Sequence, residues 1–215
     1  FLGVKMLLSF PSLVDQFQAK VSGVIHVGGH IGEELKVYRD RDVKDLIMFE
    51  PQKHCYDQIV REAKLLGMTD IKLVNKALGN VVEEKEIVSD PTGLTGSLLK
   101  PKEVYNFPDL DESKWTHHEM VQVSRLDDEI PEDHNYNFLN MDTQGYELEV
   151  LKGATRVMEK IDYVYTEVNR VEVYENNAMV EELDAFMLQY DMIRAHEWWH
   201  VHGWGDAFYV KTHLI

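Results

Sequence analysis

The chain has 215 residues, 44% of them hydrophobic and 28% charged, which is enough for one sizeable core and leaves no disordered or low-complexity stretch. Lys and Arg number 22 against 38 Asp and Glu, a formal charge of -16. With no basic cluster to reverse that excess, nucleic acid and anionic lipid surfaces are not expected partners, whereas a neutral or cationic small molecule or a neutral glycan is.

Residues 1–10 are apolar and carry no recognisable cleavage site, so a signal peptide is not expected. No apolar run reaches the length of a membrane span, and a cytoplasmic location is expected. An amphipathic helix is predicted over residues 13–20, after Pro11, which makes residues 1–22 a helical extension ahead of a domain over residues 23–215. The β-branched run 23–27 reads as a strand, followed by a turn holding Gly28, Gly29 and Gly32 and a helical segment over 33–40. A second strand, 46–49, runs into Glu50 and Pro51. The helix after it continues from Cys55 to Leu66, with Ile59, Ala63 and Leu66 on one face and Gly67 as its stop. Cys55 is the only cysteine, so no internal disulfide forms, and its apolar setting reads as a buried structural thiol. A third strand, 71–74, leads to Asn75, Lys76, Ala77, Leu78 and Gly79, and alternation of this kind predicts a doubly wound parallel sheet with helices on both faces.

Beyond Gly79 a strand is predicted over 85–89, then a loop over 91–108 that brings Gly93, Gly96 and Ser97 close together. A loop of that length in a compact protein is commonly functional, often as a lid. Residues 120–123 alternate like a strand, and 126–130 form a turn of helix ended by Pro131. The sheet resumes over 136–141 and ends in Asp142. A helical stretch over 145–160 places Leu148, Leu151 and Ala154 on a buried face, and a strand over 163–166 ends in Glu167. A helix over 180–188 and strands near 191–195 and at 207–210 complete the chain.

Three glycines between a strand and a helix allow a tight turn and let a ligand approach the backbone, beside the unpaired N–H groups of a helix start. Their spacing is neither that of a phosphate-binding P-loop nor that of a dinucleotide fingerprint, and a purely structural turn is the alternative. Glu50 closes the next strand about 20 residues on, where a carboxylate can accept both hydroxyl protons of a ribose or cap the following helix. Asp142 and Glu167 stand on the same rim. They could hold a hydroxyl, act as a general base, bind a divalent cation with Asn169 or a histidine, or order their loops.

His26, inside the first strand, reads as a buried, hydrogen-bonded structural residue, while His30 in the turn could donate to a bound carboxylate. His117 and His118 are adjacent and carry no metal spacing. His196, Trp198, Trp199, His200, His202 and Trp204 read as an aromatic pocket wall, and equally as a core patch or a contact in a homo-oligomer. No closed zinc pattern emerges, and no metal ligand is assigned.

The segments Ile25-His26-Val27-Gly28-Gly29-His30-Ile31-Gly32, Phe49-Glu50-Pro51, Asn75-Lys76-Ala77-Leu78-Gly79 and Leu126-Asp127-Asp128 resemble those of the FkbM-type S-adenosylmethionine-dependent methyltransferases. The stretch from Asp142-Thr143-Gln144-Gly145 to Ala154 carries the most specific resemblance, which extends over about residues 24–211. It implies an α/β, doubly wound Rossmann-like class I methyltransferase sheet, mostly parallel with an antiparallel last strand. It also implies S-adenosylmethionine as cofactor and O-methylation of a hydroxyl on a sugar, glycan or small metabolite. By the same resemblance Gly28, Gly29, His30 and Gly32 line the methionine side of the cofactor, Glu50 holds its ribose, and Ala77 and Leu78 lie near its adenine. Asp142 stands close to the methyl donor and Glu167 close to the acceptor; either is the expected base, with His200 or His202 behind them. Three departures stand out: His26 where many members carry Asp, His30 where many carry Asn, a histidine variant also found in part of the family, and Asn140 where a Lys is frequent. The other readings are a non-catalytic cofactor- or glycan-binding protein on the same fold, and a nicotinamide-dependent reductase, which the glycine spacing disfavours.

Overall fold

In the computed structural model, which describes residues 8–102 and 115–215, β1 (Gly23–Val27) is buried along its whole length. A run of Val and Ile flanked by parallel neighbours on both sides has no solvent face to alternate toward. One neighbour is β2 (Asp45–Phe49), which also pairs with β3 (Lys72–Val74). Helices α2 (Leu35–Asp40) and α3 (Lys53–Leu65) make the two crossovers, after α1 (Phe10–Phe17) has packed on the sheet. Residues 1–7 and 103–114, which include most of the apolar start and the later part of the 91–108 loop, lie outside the described residues.

The chain then leaves the main sheet to build a smaller one from β4 (Ala77–Leu78), β5 (Glu83–Ser89) and β6 (His117–Ser124), in the order β4-β6-β5. It returns through α4 (Leu126–Glu129) to β7 (Phe138–Met141), the other neighbour of β1. Helices α5 (Glu147–Lys152) and α6 (Thr155–Met158) lead to β8 (Tyr163–Asn169), and α7 (Val180–Leu188) to β9 (Met192–Trp199) and β10 (Trp204–Lys211). The seven main strands lie in the order β3-β2-β1-β7-β8-β10-β9, parallel except for β10, which runs antiparallel to both neighbours. This is the predicted doubly wound sheet with a reversed last strand. Among the described residues no helix is long and apolar enough to cross a membrane.

Strand alternation divides the core between the two faces of the sheet. Ile25, Val27, Leu139, Met141 and Val164 pack with Val150, Val157, Leu183 and Met187 of α5–α7 on one face. Val24, Met48, Phe138 and Phe208 pack with Phe10, Leu13, Leu35, Tyr38 and Ile59 of α1–α3 on the other. Phe10 meets Tyr38 and Phe138 edge-on, each at 5.0 Å between ring centroids.

Several elements differ from their predicted form. Helix α1 begins at Phe10, not after Pro11, because Ser9 caps it by accepting from the Ser12 amide at 3.3 Å and a proline is tolerated in the first turn. Within residues 75–79, for which no element is predicted, Ala77 and Leu78 form a short strand paired with Val123 and Ser124. The stretch 145–160 is broken at Gly153, where a Cβ would stand 2.0 Å from the Gly79 carbonyl oxygen. Asp127 then caps α6, accepting from the Arg156 and Val157 amides at 3.0 Å. Strand β8 continues past Thr166, so Glu167 sits within the strand and not at its end. Trp198 and Trp199 belong to β9, because the pairing with β10 extends to Gly205.

Candidate active site

The carboxyl ends of β1, β2 and β7, with the small sheet beside them, enclose a cavity of about 380 Å³ lined by Gly28, His30, Glu50, Gln52, Ala77, Leu78, Asp142 and Gln144. That volume suits a small-molecule ligand. It opens where strand order reverses direction about β1, the crevice in which open α/β sheets bind ligands.

Gly28 has φ +87° and stands against β7 so closely that a Cβ would lie 1.9 Å from the Asp142 carbonyl oxygen. A side chain here is excluded by the protein itself, before any ligand is considered. Gly29 and Gly32 do not line the cavity; their missing side chains make room for Met48, Ile59 and Leu35. His30 lies in the left-handed region at φ +43°, and its amide donates to Glu50 Oε2 at 2.9 Å. Its ring is engaged by Glu33 at 3.2 Å and by the Thr92 carbonyl at 3.1 Å. Burial opposes its protonation, but these partners and Cys55 outweigh that and raise its pKa to about 11, so it is a cation beside the cavity.

Glu50 is 3% exposed, and its carboxylate accepts from the amides of His30 and, at 2.8 Å, Gln52. Burial lifts its pKa to about 7 against the pull of those two amides. The turn after it is held by Asn75, whose side chain donates to the carbonyls of Glu50 and Pro51, both at 2.8 Å. Sequence reasoning did not single out Gln52. Its amide group donates to the Gly93 carbonyl at 2.8 Å and accepts from Ser89 Oγ at 2.7 Å, which pins the glycine-rich loop over the cavity. Ser97 fastens the same loop to the Gln144 carbonyl at 2.7 Å, and Gly93, Leu94, Gly96 and Leu98 form part of the wall.

Asp142 follows β7 directly and lines the cavity. Gln144, held at φ +54°, donates from one Nε2 to Asp142 Oδ1 at 2.7 Å and to Glu167 Oε2 at 2.9 Å, while Tyr174 donates to its Oε1 at 2.6 Å. Burial raises both carboxyl pKa values. Glu167 is raised further, by the Asp142, Glu147 and Asp206 charges, whereas Asp142 is drawn down by its bonds to Gln144 and Glu167. Of the two, Glu167 is therefore held further above the usual carboxylate range, and Asp142 gives up its proton more readily.

Glu147 is the third acid of this cluster and was not anticipated. It is 2% exposed, whereas Leu148, predicted on the buried face, is only half-buried. Glu147 Oε1 alone accepts from Thr143 N at 2.8 Å, Thr143 Oγ1 at 2.9 Å and Gly145 N at 3.2 Å, closing the turn before α5. Burial, aided by the Asp142 charge, raises its pKa from 4.5 to about 7. A carboxyl raised on folding binds protons in the native state that the unfolded state has released. Its stabilisation is complete below pH 4.5 and is lost as pH rises through about 7. Glu147→Gln keeps the accepting oxygen and removes the titration. It is expected to raise stability at pH 8 by on the order of 3 kcal/mol and to change little at pH 5, read as urea midpoints at the two pH values.

Glu167 lies behind Asp142 and does not line the cavity. Nor does His200, which stacks on Trp204 at 4.7 Å in the turn between β9 and β10. His26 is 2% exposed and neutral, its pKa pushed down to about 4 by burial, and it pairs through Nδ1 with the Tyr38 hydroxyl at 3.1 Å.

A seven-stranded sheet with one reversed strand, carrying a cavity at its carboxyl edge with Glu50 after β2, defines the class I S-adenosylmethionine-dependent methyltransferases. The chain belongs to the methyltransferase FkbM domain family, whose sequence profile matches residues 26–193, and S-adenosylmethionine is its cofactor. No curated protein matches the chain.

Solved structures agree on the fold. The methyltransferase FkbM from Methylobacillus flagellatus superposes with a TM-score of 0.60 at 17% identity, covering 88% of this chain and 43% of that one, so the present chain spans less than half of its length. TrmK from M. capricolum, in complex with S-adenosylhomocysteine, gives 0.52 at 10% identity, covering 96% and 70%. The magnesium protoporphyrin IX methyltransferase from Synechocystis, with bound S-adenosylmethionine, gives 0.52 at 7%, covering 94% and 77%.

Proposed function

We infer that the chain methylates a hydroxyl of a sugar, glycan or other small metabolite, with Asp142 as general base. The observation that carries this reading is that Asp142 lines the cavity and accepts from Gln144, whose amide also donates to Glu167, the buried acid held further above the usual carboxylate range.

The residues present fit the cofactor. Glu50 keeps acceptor capacity beyond its two amide bonds, enough for a ribose diol, and Ala77, Leu78 and Ile87 offer an apolar surface for adenine. Glu33, Glu34 and Asp142 on the cavity wall complement a ligand that carries positive charge. When bound, S-adenosylmethionine supplies an electrophilic methyl on sulfur, and the electron pair of the breaking C–S bond stays with sulfur.

The acceptor oxygen forms the new bond to that methyl carbon while its proton passes to Asp142. Gln144 orients the carboxylate, and the pinned 90–97 loop keeps water from the reacting atoms. Orientation and proton removal are the two contributions a protein makes to such a transfer. Glu167 acts through Asp142 and Gln144 as a positioning residue. His200 and His202 take no step in this reading, as neither lines the cavity. The formal charge of -16 and the acids on the wall favour a neutral acceptor over a nucleic acid.

Labelled methyl transfer from S-adenosylmethionine to a panel of sugars, oligosaccharides and small hydroxylated compounds, with products identified by mass spectrometry, tests this function. An O-methyl product is the expected result. Cofactor binding without transfer to any acceptor, or transfer confined to RNA, would overturn it.

A further inference from the structure

Away from the cavity mouth, His54 in the first turn of α3 meets His117 and Glu119 of β6. Each of the three offers one ligand atom, and these atoms all lie within 4.8 Å of one another. His117 and Glu119 are two apart on a strand, so they share the face that carries buried Val121 and Val123. A polar pair thus continues an apolar stripe, where packing alone would call for another hydrophobic residue. His54 comes from a segment far away in sequence, which is why no spacing pattern marks the cluster.

Two ring nitrogens here, His54 Nδ1 and His117 Nε2, are buried and have no hydrogen-bond partner among the described residues. Buried polar atoms of this kind call for an explanation, and an absent ion is one. The rest of the cluster is already held as ligands usually are. His54 uses its other nitrogen, Nε2, toward Cys55 Sγ at 3.3 Å, and Glu119 is fixed by the Lys53 amide at 3.1 and 3.2 Å. His117 Nε2 stands 3.5 Å from Glu119 Oε2. Zinc bonds of about 2.0–2.1 Å place tetrahedral ligand atoms roughly 3.4 Å apart, so that pair needs no rearrangement and His54 needs a side-chain adjustment only.

We propose that His54, His117 and Glu119 bind a divalent transition ion of the zinc class. Two imidazoles and one carboxylate suit Zn²⁺ or Co²⁺ and leave a fourth position for water. The ion joins α3 to the small sheet directly behind the cavity wall, since a Cβ on Gly93, a wall residue, would stand 3.1 Å from His54 Nε2. The proposal is independent of the acceptor and of the base.

Titration of the metal-free chain with Co²⁺, followed by visible absorption, and with Zn²⁺ by calorimetry tests it. One equivalent is expected to bind, with the absorption of a low-coordinate cobalt site. His54→Ala, His117→Ala and Glu119→Gln are each expected to weaken binding at least about tenfold, because each removes one of three protein ligands. His200→Ala/His202→Ala is expected to bind as the wild type does. The His117 side chain is 41% exposed, so its replacement leaves the core intact, which an unchanged thermal midpoint of the metal-free variant would document. Absence of stoichiometric binding to the wild type, or Zn²⁺ binding by His117→Ala equal to that of the wild type, overturns the site.

Discussion

Asp142→Asn is expected to lower kcat by about 10²- to 10⁴-fold, the usual contribution of a positioned general base, while S-adenosylmethionine affinity stays within a few-fold of wild type. Asn preserves the acceptor for Gln144 Nε2, now at 2.7 Å from Oδ1, so the Gln144–Tyr174 arrangement survives the change. What disappears is the capacity to take a proton. Glu167 cannot take over, because it does not line the cavity, and burial with the neighbouring acids favours its protonated form. Glu167→Gln retains a hydrogen-bond donor toward Asp142 and is therefore expected to cost about tenfold or less. In the wild type the acid limb of the kcat/KM profile is displaced upward from an ordinary aspartate, since burial raises the Asp142 pKa, and Asp142→Asn removes that limb. Turnover of Asp142→Asn equal to wild type, measured on the acceptor found by the methyl-transfer screen, would take Asp142 out of this role.

The sheet was legible because its strands are short apolar runs followed by residues suited to a carboxyl edge. Gly28 marked the end of β1, Glu50 that of β2 and Asp142 that of β7, which are three adjacent strands of the sheet. What was not legible depends on contacts between distant segments. Ala77 and Leu78 carry no helical period over so short a stretch, and only the partner β6 makes them a strand. Glu147 reads as a solvated first-turn acid until the Thr143–Gly145 turn is seen folded around it. Gln52 gains its meaning from Ser89 and Gly93.

The departures at positions 26 and 140 prove to be a single feature. His26 and Asn140 are register partners on β1 and β7, and both reach the Tyr38 hydroxyl, which accepts from Asn140 at 2.7 Å and faces His26 Nδ1 at 3.1 Å. An acid and a base at these two positions would be cross-strand neighbours. This chain places a neutral network there, which spares the sheet the desolvation of two charges. The glycine turn gained a different meaning as well: its bare positions are filled by protein atoms from β7, β2 and α3.

Glu50→Ala is expected to weaken S-adenosylmethionine binding by about 100-fold or more, since hydrogen bonds to a charged group contribute roughly 1.5–3 kcal/mol each and a ribose offers two hydroxyls. The same substitution leaves the His30 and Gln52 amides without their acceptor, and each unpaired buried amide costs about 1–3 kcal/mol of stability. Affinity and stability must therefore be read separately, by calorimetry on protein shown to be folded and by thermal midpoint without ligand. Glu50→Gln separates them further. It keeps a side-chain oxygen for one amide and most of the packing, but it loses the charge, so it should recover much of the stability and little of the affinity. The wild type carries its own internal check: with a Glu50 pKa of about 7, a ligand that prefers the carboxylate binds more weakly as pH falls below 7, and both variants lose that dependence. An affinity for S-adenosylmethionine equal to wild type in folded Glu50→Ala would mean that the carboxylate serves only to tie together the turns that follow β1 and β2.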